Sequence, residues 1–179
     1  MHLAIDTSTD TAGIAIADEF NILAELTWSC GRNHSVELMP RMTKLLEDAG
    51  VKFEDIKGVV VAIGPGSFNG LRVGVSTAKG IAFSLDVPIV GIGTLEMTAY
   101  PHSYTNLPIC PVINAGRSEV AVALFQQTGS GWQKTRAEHI TTVTELCRET
   151  ETQTIFCGEL KQSAIDELTQ ELGEKAVIP

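Results

Sequence analysis

Gly64-Pro65-Gly66-Ser67-Phe68-Asn69-Gly70-Leu71-Arg72, running on through Val73 to Gly74, is the most constrained stretch of the chain. It follows Val59-Val60-Val61-Ala62-Ile63, an apolar, β-branched run too short for a helix, which reads as a buried strand. A helical pattern comes next, so the stretch is a strand-to-helix corner, where α/β proteins place ligands and partners. Glycine loses the most backbone entropy on ordering, so three glycines and a proline between Gly64 and Gly70 imply that something requires that backbone.

The spacing argues against both common phosphate loops. A Walker A loop needs four residues between its glycines and then Gly-Lys-Ser/Thr, whereas Gly64 and Gly70 enclose five and Leu71-Arg72 follow. The dinucleotide fingerprint is nearly met by Gly64 and Gly66, but the third glycine falls one place late at Gly70. No carboxylate closes a strand where the ribose would need it, since Asp86 sits in a turn before Pro88. The plain alternative is a tight turn that brings helix and sheet into close contact.

Composition limits the function classes. With 179 residues, 44% of them hydrophobic, the chain can bury roughly 70% of its unfolded surface. The net charge is -9, and no cluster of lysines and arginines outlines a phosphate-tracking stripe, so autonomous RNA or DNA binding is not expected. Cys30, Cys110, Cys147 and Cys157 are far apart and form no C-x-x-C pair, which points away from a zinc site or disulfide scaffold and toward a reduced cytosol. The N-terminus starts directly with a strand, so neither a signal peptide nor a membrane span is expected, and a cytoplasmic location fits.

Residues 2 to 27 read as three short strands. Leu3-Ala4-Ile5 leads into the polar turn Asp6-Thr7-Ser8-Thr9-Asp10, and Gly13–Ile16 and Ile22–Leu26 follow. A strand, an Asp-Thr-Ser turn and a returning strand form the type of hairpin that supplies hydroxyls to a phosphate in one large group of nucleotide-binding folds. An ordinary hairpin with side chains bonded to their own backbone carries equal weight. From Asn33 to Gly50 the apolar residues Leu38, Met39, Met42, Leu45 and Leu46 recur at helical spacing, with Asn33 as cap and Gly50 as stop. His34 borders this stripe, where a histidine is more often a structural group than a ligand.

The helix after the corner is expected over Gly70–Leu85. Gly70, Gly74, Ala78 and Ala82 recur at i+4, which leaves one face almost bare and reads as a docking face, with close packing on a sheet as the competing explanation. Arg72 in the first turn opposes the helix dipole, so it is expected to meet a carboxylate in this chain or on a partner. Pro88–Ile92 reads as a further buried strand, followed by a short helix capped by Thr94. The composition shifts at Tyr100–Pro108, dividing the chain into a lobe of residues 1–100 and a second of 101–179. The second restarts with strands and then alternates strand and helix, as a duplicated ribonuclease H-like fold would, although no sequence repeat is visible.

The corner, together with Ile5-Asp6-Thr7-Ser8, His34-Ser35 and Gly91-Ile92-Gly93-Thr94-Leu95, strongly resembles the bacterial TsaB (YeaZ) family over most of residues 1–100. The resemblance implies an α/β, two-lobed actin/Hsp70-like (ASKHA) fold and a part in making threonylcarbamoyladenosine at position 37 of tRNAs. It implies pairing with a TsaD-like catalytic paralogue and cooperation with a TsaE-like ATPase. In the catalytic sister family a His-x-x-x-His metal pair follows the equivalent of Pro88–Ile92. Here those positions are Thr94 and Thr98, and hydroxyls alone are poor ligands for a transition metal. Three departures stand out: Asn69 where threonine is frequent, Asn114-Ala115-Gly116-Arg117 where the family tends to have Asp-Ala-Arg, and an end at Pro179 without the extension that many relatives carry, which suggests a shortened second lobe.

The leading expectation is therefore a non-catalytic scaffold without cofactor or metal, able to self-pair and meeting tRNA only through its complex. Its partner surface is expected at His34, Leu38, Met42, Gly70, Arg72, Gly74 and Ala78, with Asp6, Thr7 and Ser8 as a vestigial phosphate hairpin. The alternative is an ATP- or metal-dependent phosphotransferase or hydrolase of the same fold, using Asp6 and the hairpin hydroxyls. A protease has little support, since no Ser/His/Asp order or H-E-x-x-H motif is present.

Overall fold

The structure, a computed structural model, describes residues 1–31 and 33–179. Its contacts divide the chain into two units, Met1–Thr94 and Leu95–Pro179. In the first, strands β1 (His2–Asp6), β2 (Thr11–Ala17) and β3 (Ile22–Ser29) form an antiparallel meander. Helix α1 (His34–Asp48) leads to β4 (Gly58–Ala62), parallel to β1, and helix α2 (Phe68–Leu85) leads to β5 (Ile89–Ile92), parallel to β4. The sheet order is β3-β2-β1-β4-β5.

Alternation along the strands sends Leu3, Ile5, Ile14, Ile16, Val59 and Val61 to one face, where they pack with Leu38, Met42 and Leu46 of α1 and Ala78 and Ala82 of α2. Burying a side chain such as Leu38 or Met42 stabilises the unit by about 1.5–3 kcal/mol. On the opposite face Ala4, Ala15 and Val60 are half-buried, and β5, expected to be buried, is largely exposed because it forms an edge of the sheet.

The second unit repeats this plan. After helix α3 (Thr94–Ala99) come the antiparallel strands β6 (Ile109–Gly116), β7 (Glu119–Thr128) and β8 (Gly131–Thr142). Helix α4 (Val143–Glu149), β9 (Thr154–Gly158), helix α5 (Gln162–Leu172) and the short β10 (Ala176–Val177) follow. The order β10-β9-β6-β7-β8, with β9 parallel to β6 and β10 parallel to β9, is that of the first sheet, so the duplication absent from the sequence is present in the topology. Here both faces of the sheet are packed. Ile109, Ile113, Phe125 and Ile155 meet Leu95 and Ala99 on one side, while Cys110, Val112 and Phe156 meet Leu146 and Leu168 on the other.

Several boundaries differ from expectation for identifiable reasons. Leu95 and Ala99 are fully buried in the second unit's core, so α3 goes with that unit and the division falls before residue 100. Helix α2 starts at Phe68 because the Ser67 hydroxyl accepts the Gly70 N–H at 3.3 Å, which also puts Asn69 inside the helix. Asn33 precedes α1 without a side-chain cap bond, whereas Gly50 does stop it, at φ 66° with its N–H on the Glu47 carbonyl. No described helix is long and apolar enough to cross a membrane.

Candidate functional site

The corner between β4 and α2 closes onto the turn between β1 and β2. Gly64 takes φ 103°, a conformation that a side chain would strain. Just beyond it the Ser67 N–H donates to the Ser8 carbonyl at 2.6 Å, which draws the first turn of α2 onto the hairpin. The Thr7 hydroxyl donates to the Gly70 carbonyl at 2.8 Å, and both residues are buried. A methyl group on Gly66 would overlap the Ser8 carbonyl, one on Gly70 the Thr7 carbonyl, and one on Gly74 the Thr7 hydroxyl. The stripe of small residues thus exists so that helix and hairpin can touch.

His34 seals the side of the same corner. The residue is 4% exposed, its Nε2–H donates to the Thr9 carbonyl at 2.9 Å, and a Cβ on Gly70 would sit 3.3 Å from the ring. Because a carbonyl oxygen can only accept, this bond places a proton on Nε2. Asp6 faces inward along the hairpin as well, its Oδ1 accepting both the Ser8 N–H at 2.8 Å and the Ser8 hydroxyl at 2.6 Å.

The hydroxyls that would bind a phosphate are therefore engaged within the chain. Thr7 and Ser8 are at most 1% exposed, and the backbone at Gly66, Gly70 and Gly74 lies too close against them to admit even a methyl group. The residues present do not fit a nucleotide held by this hairpin. Among the described residues no three His, Cys, Asp or Glu side chains gather as metal ligands would. Thr94, at one of the two positions where the sister family carries its histidines, is buried, and its N–H donates to the Gly64 carbonyl at 2.8 Å, tying the end of the sheet to the corner.

The expected partner surface needs correction. His34, Leu38, Met42, Gly70, Gly74 and Ala78 are all buried within the first unit, against β1 and the hairpin or in the core below, so they are not free to meet a second protein. The i+4 spacing had identified a bare face correctly, and the chain's own sheet occupies it. Arg72 alone of the seven is exposed. It makes no ion pair among the described residues, and its guanidinium lies 5.5 Å from the centre of the Phe68 ring instead of on a carboxylate of this chain.

The opposite face of α2 carries what the sequence reading missed. Phe68 is 73% exposed and Phe83 90% exposed, unusual for phenylalanine. At 100° per residue, Phe68, Arg72, Lys79 and Phe83 fall within roughly 60° of one another, a signal available from spacing alone. On α1, which packs beside α2, Val36 and Met39 are also exposed.

Comparison with known proteins agrees with this architecture. Residues 22–172 match the family model described as TsaD, tRNA N6-adenosine threonylcarbamoyltransferase. The tRNA threonylcarbamoyladenosine biosynthesis protein TsaB of Bacillus subtilis (strain 168) is 42% identical over 124 residues, 69% of this chain and 54% of its own length. TsaB of Escherichia coli (strain K12) is 30% identical over 141 residues, covering 77% of this chain and 61% of its own. The chain thus spans little more than half the length of these curated relatives. Among solved structures, YeaZ from Pseudomonas aeruginosa superimposes with a TM-score of 0.75 at 23% identity, over 88% of this chain and 75% of that one. The ethanolamine utilization protein EutJ from Carboxydothermus hydrogenoformans shares the fold at a TM-score of 0.62 and 9% identity, over 99% and 84%. The α/β, two-unit ASKHA fold is thereby established, and the chain belongs to the TsaB (YeaZ) family, within the TsaD family whose model it matches.

Proposed function

We propose that the protein is a non-catalytic scaffold subunit in the formation of threonylcarbamoyladenosine at position 37 of tRNAs. It pairs with a TsaD-like catalytic paralogue and works with a TsaE-like ATPase. The carrying observation is that the corner of the first unit is sealed by its own hairpin while the outer face of α2 displays Phe68, Arg72, Lys79 and Phe83. Two exposed phenylalanines beside cations suit a pairing surface, where aromatic residues and arginine dominate the binding energy. The same surface lets two copies self-pair when the paralogue is absent. Arg72 finds its carboxylate on the partner.

In this role the protein reacts with nothing. It holds the partner's site in a competent geometry, and tRNA is met through the complex, in keeping with a net charge of -9. A complex of this kind works in the cytoplasm. The test is co-expression with the TsaD-like and TsaE-like proteins of the same organism, followed by measurement of the modified nucleoside in tRNA. Modification is expected to fall to background when this chain is omitted; unchanged modification contradicts the proposal. Calorimetry with ATP and magnesium distinguishes the phosphotransferase reading, which requires binding by the isolated chain.

A further inference from the structure

The repeated topology creates the same crevice twice. In an open α/β sheet, ligands bind beyond the carboxyl ends of parallel strands where successive connections leave in opposite directions. That point lies between β1 and β4 in the first unit and between β6 and β9 in the second. In the first it is filled by α2. In the second, a cavity of about 460 Å³ stands open at the equivalent place, within the size range of small-molecule sites.

Side-chain volume accounts for the difference. Where the first corner and α2 carry Gly64, Gly66, Gly70 and Gly74, α5 begins with Gln162, Ser163, Ala164 and Ile165, and the corner before it is Glu159-Leu160-Lys161. The cavity is lined by the polar residues Asn114, Ser118, Glu119, Glu159, Lys161, Ser163 and Glu167, with Val112, Val120 and Val143 adding an apolar wall. Glu119, Glu159 and Glu167 line it together with one ammonium, that of Lys161, a balance that repels phosphate and attracts a cation. Glu159 accepts the Asn114 N–H through Oε2 at 3.0 Å, and Glu167 accepts the Thr144 hydroxyl through Oε1 at 2.6 Å. Each is thereby oriented and keeps its second oxygen for a ligand. Among the described residues the side chains of Lys161, Ser118 and Ser163 make no hydrogen bond, so donors and hydroxyls stand ready beside the carboxylates.

We propose that this cavity binds a small molecule carrying a primary ammonium group beside hydroxyl groups. The ammonium sits between Glu159 and Glu167, and the hydroxyls meet Ser118, Ser163 and Lys161. The site lies wholly within the second unit and does not depend on the scaffold role proposed above.

The test is amide NMR on the whole chain, titrated with serinol (2-amino-1,3-propanediol) in an amine-free buffer and, separately, with inorganic phosphate. Serinol is expected to shift the amides of Asn114, Ser118 and Ser163 saturably, with a dissociation constant below about 1 mM. Phosphate is expected to leave them in place. Glu167→Gln and Glu159→Gln should each weaken serinol binding about tenfold, the loss expected for one charged hydrogen bond. Ser163→Ala, which removes no bond of the folded chain, should weaken it about threefold and decides the matter if a Gln variant fails to fold. An absence of saturable shifts, phosphate moving the same amides, or variants binding like the parent would each overturn the proposal.

Discussion

The two units share a strand order and differ in how their helices meet the sheet. In the first, Gly70, Gly74, Ala78 and Ala82 let α2 settle against β1 and the Thr7-Ser8 turn. In the second, α5 buries Leu168 and holds its first turn away, leaving a cavity. Topology sets where a crevice can form, and the volume of four helix residues decides whether it remains one. One fold can therefore keep its topology in both units and close the corner in only one of them.

The largest test of this contrast is Gly74→Leu. A side chain there collides with the Thr7 hydroxyl and the neighbouring Ile5, so the variant should lose about 3 kcal/mol or more in urea unfolding. A variant that melts like the parent would show that the contact is not tight.

Alkaline pH acts on the other unit. Burial pushes the thiols of Cys110 and Cys157 up from 9.0 to about 12. Above 9 the unfolded chain releases these protons and the folded chain keeps them, so the stability they contribute is full below pH 9 and is lost as pH rises toward 12. The second unit should open first between those values in hydrogen exchange, and in the folded protein at pH 8 both thiols should resist alkylation.

His34→Ala removes the bond to the Thr9 carbonyl and leaves that half-buried group facing the gap of the lost ring. The expected loss is about 2 kcal/mol, confined to the first unit. The smallest effect, and opposite in sign, is Gly80→Ala. Gly80 is exposed on the same helix with nothing within 4 Å of an added Cβ, so about 0.5–1 kcal/mol of stabilisation is expected. The pair Gly74 and Gly80 thus separates glycine needed for contact from glycine that is merely tolerated.

Much of this was legible in the sequence. The run Val59–Ile63 and the glycines after it located the corner, and the spacing of Leu38, Met42 and Leu46 located α1 and its buried face. Periodicity shows that a helix has a special face, but not what lies across from it, which is why the bare stripe was assigned to a partner when it meets Thr7. Leu95 and Ala99 could have packed in either core, so the division between units was set too late in the chain. The strand β10 has two residues, too few for any pattern. Phe68 and Phe83 were readable by angle, yet lone apolar residues opposite a strong stripe carry little weight until their exposure is known. The cavity at Glu159 and Glu167 arises from elements distant in sequence and has no local signature.

The central claim is that the corner is an internal seal and that partners meet the opposite face of α2. It is tested most directly by the double variant Phe68→Asp/Phe83→Asp, co-expressed with the TsaD-like paralogue. Both side chains point to solvent, so the variant should melt within a few degrees of the parent while its affinity for the paralogue falls at least about thirtyfold. Undiminished co-purification of a folded double variant would contradict the account.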